Sequence, residues 1–459
     1  MQGVRATHWI SPKGVDVVPV DSVAEPLAAF TLKDSRFQIA KVGYGSGGAF
    51  TIEVPTGAEY YVGSLNFYFV TRSRSIDLGL NRQGRKGQVN LDGGTPTLTI
   101  TATGLSPWQA EDALILSSES VFELALLSPA INVPTQATAL TKASFDYVST
   151  LNPTGIAFDA TRGDTAVVQQ IRTTQLLPDG GSNNYCQSVI ASASTGAITT
   201  AENRDTPLSL TMTAAAAKTI SFDLRSSAWA ALAPSIHPQA RFNGIYFEVN
   251  AVSGNLDRGW LGYLSSLVSC SSQDLPDGVY PATYGNPSAG WAEVGSASAN
   301  FLVPVQLPDA GAGNLNVYST SFDLPSVVFG GPLTPAMSPP QQLVIDGQPA
   351  QGAPFAVTSQ TPLVSWSAPA SGTPTSYVVT FRLLFVDANN RTRTRRVGGV
   401  QTTQTQVRVP PGVLATGTYA ITLTASNASG GGFSIDSSPS YDAARSQDTQ
   451  AASSQFTVP

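Results

Sequence analysis

Residues 362–385 read PLVSWSAPASGTPTSYVVTFRLLF and residues 407–428 read VRVPPGVLATGTYAITLTASNA, with a basic hairpin between them. Segments rich in Val, Thr, Tyr and Phe with period-2 spacing alternate here with Pro, Gly and Ser. That is how half-buried antiparallel strands and their turns are written. The rest of the chain repeats the grammar. Charged residues are only 12% of the 459, while Gly (41) and Pro (32) are abundant and the apolar share is 42%. Apolar runs of strand length recur throughout, which separates the composition from that of a disordered chain. The prediction is an all-β, multi-domain β-sandwich protein. Helical spacing is confined to two short stretches, Pro107–Leu114 and Ser226–Leu232.

Working outward, three units are expected. Residues 336–459 form the last, 95–335 a larger β-rich middle made of one or two sandwiches, and 1–94 the first. Thr95–Trp108 reads as a strand followed by a turn into an aromatic, and further expected middle strands are Val121–Leu127, Ala166–Thr173, Leu208–Thr213, Lys218–Leu224, Ile245–Val252 and Phe301–Leu307. Pro325–Pro340 is dense in Pro and Gly and reads as a linker. In the first unit, residues 43–62 (GYGSGGAFTIEVPTGAEYYV) combine a Gly-rich turn, an alternating strand, a Pro-Thr-Gly turn and an aromatic strand. Phe50 and Ile52 should share one face there, with Thr51 and Glu53 on the other.

These motifs carry resemblances. The LVSW strand with Trp366, and the Leu414-to-Tyr419 run leading into a strand, resemble a fibronectin type III domain. Residues 43–62 resemble the carboxypeptidase regulatory-like, prealbumin-type sandwich modules. With TRSRSIDLG (71–79), GLSPWQAEDALIL (104–116), GIAFDATRGDTAVVQQI (155–171) and YGNPSAGW (284–291), the order of elements resembles exported surface proteins and lipoproteins of myxobacteria. That group brings no activity to carry over. The resemblance implies export, a surface role and a lipid anchor on the precursor. The opening MQGVRATHWISPKG has no apolar core of a signal peptide, which fits either a cytosolic protein or a chain with its targeting segment removed, and the resemblance favours the second.

Several function classes find little support. A net charge of −6 argues against a general nucleic-acid binder. No run of about 18 apolar residues offers a membrane-spanning helix. Neither a nucleophile elbow, a zincin motif nor a P-loop occurs, and no cofactor or metal site is expected. The two histidines are His8 near the start and His237 between prolines, where a loop residue is expected. Asp179, Asn183 and Asn184 lack the spacing of a calcium loop and read as a turn. Carboxylates such as Asp159, Asp164, Glu248 and Asp257 keep a hydrolytic, carbohydrate-active enzyme as the alternative reading. With export, Cys186 and Cys270 are expected to form one disulfide.

Two features suit binding. Arg391, Arg393 and Arg395 fall at period 2 and would line one strand face, a positive stripe able to fork onto phosphate or carboxylate. The plainer reading is an edge strand guarded by charge. A looser basic run spans Arg72 to Lys86. The second feature is Trp260, Tyr263, Tyr280, Tyr284 and Trp291, aromatics in Gly/Pro-rich surroundings that can stack on sugars or anchor an interface, or simply fill a core. The expected function is therefore a non-catalytic, extracytoplasmic binding or structural protein whose partner is a cell-surface protein or a glycan.

Overall fold

The computed structural model describes the chain apart from residues 21–25, 65, 130–132, 152–153, 178–183, 254–262, 287–289, 430–432, 434 and 437–444. Strands dominate, and helix is limited to Ser226–Ala230, Ala233–Ile236 and Pro325–Val328 plus a 3-10 turn at Ala160–Arg162 among the described residues. The chain is all-β and built from several packed sheets. Among the described residues no helix is long and apolar enough to cross a membrane.

Period-2 patterning becomes burial directly. Along Ala49–Ile52 the inward residues Phe50 and Ile52 are buried while Thr51 and the following Glu53 are exposed. They join Tyr60, Val62, Phe69 and Ile76 in the core of the first unit. A second core gathers Leu98, Ile100, Leu116, Phe145, Tyr147 and Val168. A third holds Phe222, Trp229, Phe247, Cys270, Phe301 and Val317. The middle of the chain thus carries two cores, joined edge to edge where Tyr185–Ser188 pairs antiparallel with Val268–Ser271.

In the last unit, Gln341–Ile345, Leu363–Ser367 and Gln406–Arg408 form one sheet. Thr392–Thr402, Ser376–Val386 and Gly417–Ser429 lie side by side in the other, with Arg445–Ala452 and Phe456–Val458 beyond. Between the sheets sit Val364, Trp366, Tyr377, Phe381 and Tyr419. The Tyr419 hydroxyl donates to the Ala415 carbonyl at 3.0 Å. A tyrosine at the start of a strand, bonded back to the preceding chain, is the corner that locks such sandwiches. Phe30, Tyr61, Tyr68 and Val70 of the first unit enter this same core. Gly399–Gln401 also pairs in parallel with Phe67–Phe69. The two ends of the chain are therefore packed on each other.

Local differences from the sequence reading have physical causes. Residues 107–112 are not helical; the strand Ala113–Ser118 follows them at once. Asp112 decides this, because its carboxylate accepts from the Gln109 amide, the Gln170 side chain and Arg172, which folds the segment into a turn. Ser226–Ala230 is helical as expected, and its Trp229 is fully buried with Nε1 donating to the Leu333 carbonyl at 3.0 Å. That bond, with Leu333 N donating to Asp223 O at 2.7 Å, pins the Pro/Gly-rich stretch against the third core instead of leaving it a loose linker.

His237 is likewise a packed residue, 2% exposed. Its Nδ1 accepts from the Gln239 amide at 3.1 Å, so Nε2 carries the proton and donates to Ser454 Oγ at 2.9 Å. Ser454 in turn donates to the Gly352 carbonyl, and this neutral relay joins the middle of the chain to its last unit. Burial holds the imidazole below its usual pKa. A depressed histidine pKa means that the unfolded chain takes up the proton first as pH falls. The stability that neutral His237 supports is complete above about pH 6.5 and is lost below it, by at most about 1.4 kcal/mol per pH unit. Urea unfolding from pH 8 to pH 5 should show this decline, and H237Q should flatten it below pH 6.5; parallel curves would rule the relay out as the source.

Candidate functional site

The described structure brings three remote segments around one cavity of about 440 Å³. Lys13 comes from the turn between the strands Ala6–Ser11 and Gly14–Pro19 of the first unit. Glu119 and Arg162 come from the second core's sandwich, and Trp291 reaches over from the third. Each position is braced. Lys13 Nζ donates to the Arg162 carbonyl at 2.8 Å, and Arg162 Nε faces Asp159 at 3.4 Å. Glu119 accepts from Ser253 Oγ at 2.5 Å and from Trp291 Nε1 at 3.2 Å. The wall therefore mixes cationic, carboxylate and hydroxyl groups with an indole, a lining suited to a small polar ligand.

Beneath the wall lies the strongest ion pair of the region. Arg85 donates from Nε and Nη2 to the two Asp164 oxygens at 2.7 and 2.6 Å, and Asp164 is fully buried. Asp164 also accepts from the Asp159 amide at 2.8 Å. The bidentate bond to Asp164 holds Arg85 above its ordinary pKa. Arg85 thus belongs to the frame, not to a free basic surface. The other acids named from sequence are engaged too. Asp159 accepts from Thr161 N and Oγ1, and those bonds hold its carboxyl below the usual range. Glu248 accepts from Ser269 Oγ at 2.6 Å and from Asn250 Nδ2 at 3.2 Å on the sheet surface. Asp257 lies outside the described residues, as do Asp179 and Asn183. Asn184 donates to Asp274 at 2.6 Å.

The predicted aromatic group lies mostly on one core: Tyr280 and Tyr284 are in the third core and Trp291 packs against it. Tyr280 and Tyr284 alternate with exposed residues along the regular strand Gly278–Gly285 and enter the third core, a cleaner period than the surrounding Gly and Pro suggested. Tyr280 donates to the Pro276 carbonyl at 2.8 Å, and Tyr284 to Glu293 at 3.1 Å. Burial, and then the Glu293 charge, push the Tyr284 pKa up. Tyr263 packs on the small cluster of Val252, Val294 and Phe322. Only Trp291 of the described members reaches the cavity, and Trp260 lies outside the described residues.

Arg391, Arg393 and Arg395 are exposed, as a stripe requires. Their strand, Thr392–Thr402, pairs along its length with Ser376–Val386; on its other side Gly311 bridges to Arg391, accepting from the Thr392 amide at 2.9 Å, and the first unit pairs at Gly399–Gln401. Between those two contacts the stretch around Arg393 and Arg395 has no further strand partner among the described residues, and charge there deters pairing with another chain. Asp387 caps the hairpin, accepting from the Arg391 amide at 2.9 Å and from Arg393 Nε at 2.7 Å. Exposed pairs contribute about 0–1 kcal/mol. The triple charge reversal R391E/R393E/R395E should leave the far-ultraviolet circular dichroism unchanged and cost no more than about 1 kcal/mol in chemical unfolding; loss of folded protein would make these side chains structural partners.

Cys186 and Cys270 are bonded, with S–S 2.00 Å, and stand directly opposite each other in the ladder that joins the two middle cores. Both are buried. Sequence reasoning did not find Lys13, Glu119 or Arg162. They come from three distant segments, and no local spacing marks such residues.

No family model matches the chain, and no curated relative does. Among solved structures it is similar to a leucine-rich repeat protein from Bacteroides thetaiotaomicron at 11% identity and TM-score 0.15, covering 50% of this chain and 25% of that one. Three domains of titin match at 10% identity and TM-score 0.16, covering 79% of this chain and 98% of that one. The FN1–FN3 domains of chicken CNTN1 match at 8% identity and TM-score 0.14, covering 78% and 99%. At these TM-scores none of the three bears on function.

Proposed function

We propose that this protein is a non-catalytic, extracytoplasmic binding or structural component of a cell surface, presenting the cavity beside Trp291 to a surface protein or a glycan. The observation that carries the reading is the buried Cys186–Cys270 bond. A bond of this kind persists in oxidising compartments and is rare in the cytosol. The frame is consistent with a static scaffold: among the described residues one hydrogen-bonded network of 22 strands runs through all the units. The acids nearest the cavity, Glu119 and Asp164, are committed to holding Trp291 and Arg85. Export with a lipid anchor on the precursor belongs to the same proposal, resting on the resemblance to exported lipoproteins.

Proximity labelling and pull-down of the full-length protein from its own cells tests this. Envelope proteins recovered in fixed stoichiometry, or a glycan whose retention falls at least about tenfold in W291A, support the reading. Turnover of a polysaccharide by the purified protein would overturn it and restore the carboxylate-enzyme alternative.

A further inference from the structure

Most charges around the cavity beside Trp291 are matched. Arg85 is spent on Asp164, and Arg162 faces Asp159. Lys13 and Glu119 also line the cavity, and neither has an ion-pair partner among the described residues. The Lys13 ammonium donates to a neutral group, the Arg162 carbonyl at 2.8 Å, which leaves two N–H donors open. Its place is set by a close approach: Gly163 has φ +79°, and a Cβ there would lie 3.3 Å from Lys13 Nζ.

Glu119 is the more unusual of the two, because it is half-buried. Both of its donors, Ser253 Oγ at 2.5 Å and Trp291 Nε1 at 3.2 Å, are neutral. A carboxylate offers about four acceptor sites, so two donors leave it room for more and leave its charge unmatched. Partial burial of an unmatched charge is costly in the free protein. Lys13 and Glu119 do not pair with each other, although both line one space of about 440 Å³. The cavity therefore keeps one open charge of each sign, held apart. A purely anionic ligand would meet Glu119 there, and a purely cationic one would meet Lys13.

We infer that this cavity binds a zwitterionic group, a primary amine joined through a few atoms to an oxyanion. The ammonium donates to Glu119 next to the Trp291 indole, since a carboxylate and an aromatic ring together hold such a cation. The oxyanion accepts from Lys13, which acts as a compact point charge. The inference rests on the reading of the cavity beside Trp291 as the ligand site and names the chemistry that a bound molecule presents there.

Isothermal titration of the intact protein at constant ionic strength tests this, with phosphoethanolamine and β-alanine as zwitterions and ethanolamine, inorganic phosphate and acetate as their halves. At least one zwitterion should bind at least about tenfold more tightly than either of its halves, and the one that does identifies the oxyanion. Where it is phosphoethanolamine, glycerophosphoethanolamine separates the sources: equal binding assigns a group linked to a larger molecule, weaker binding a free solute. E119Q removes the negative charge at nearly unchanged shape, and K13M removes the positive one at similar length. Each should weaken the zwitterion at least about tenfold, the loss of one charge-assisted bond. E119Q should not weaken the anionic half, nor K13M the ethanolamine. The inference is overturned if neither zwitterion binds more tightly than its halves, or if either variant binds it as wild type does. Should E119Q fail to fold, K13M alone decides. A glycan retained through Trp291 without zwitterion binding overturns this inference and leaves the wider reading standing. Zwitterion binding beside polysaccharide turnover overturns only the wider reading.

Discussion

Removing the disulfide with C186A/C270A should lower the stability of the middle of the chain by about 3–5 kcal/mol. The bond closes a loop of sequence separation 84, and for that length the chain-entropy model gives about 4.6 kcal/mol. Alanine leaves no unsatisfied hydroxyl in a site where Cys186 is 2% and Cys270 0% exposed. The ladder that carries the bond is short, only Tyr185–Ser188 against Val268–Ser271, and it is where the two middle cores share a sheet edge. Loosening it should also let the two cores unfold separately. Calorimetry should show a transition lowered by about 10 °C and a second component split from it, given about 2–4 °C per kcal/mol at this domain size. Thiol titration of the oxidised wild type should find no free thiol until reductant is added. A shift below about 3 °C would mean that packing alone holds the two cores together.

The second large effect is expected at Arg85. R85M strands Asp164, which is fully buried, with one amide donor from Asp159 and no cation. An uncompensated buried charge costs about 3–5 kcal/mol. The lost bond also frees the segment after Leu80–Gln83 from the Asp159–Asp164 turn, so the braced side of the cavity beside Trp291 should loosen with it. R85M/D164N separates charge from packing: the double variant removes the stranded charge and should recover more than half of the loss in urea unfolding. If the two single substitutions add independently, the pair is not the brace inferred from its geometry.

These sites explain why some features were legible in the one-dimensional chain and others were not. Alternation in 49–52 and around Trp366 and Tyr419 announces strands because side-chain direction in a strand depends only on residue parity. The same parity rule placed Arg391, Arg393 and Arg395 on an exposed face. Beyond Phe381 a one-residue bulge resets the phase, and nothing local in TFRLLF or RTRRVGG marks where the slip occurs. Around Tyr280 and Tyr284 the density of Gly and Pro hid a regular strand. Pro281 sits on an exposed position there, in a strand with a single partner, where a missing N–H is tolerated.

Sequence by itself determined the all-β class, part of the strand positions, the buried face of strands such as 49–52 and the one pairing open to two cysteines. These follow from local periodicity and counting. Tertiary structure alone decided that the middle holds two cores and that the first and last units share one. It also decided that Lys13, Glu119, Arg162 and Trp291 surround a cavity and that Arg85 is spent on Asp164. Each of these depends on which strand edges meet over separations of tens to hundreds of residues. Loop closure adds only a weak, logarithmic preference over such distances, so the partners are selected by the complementarity of whole faces and not by any local signal.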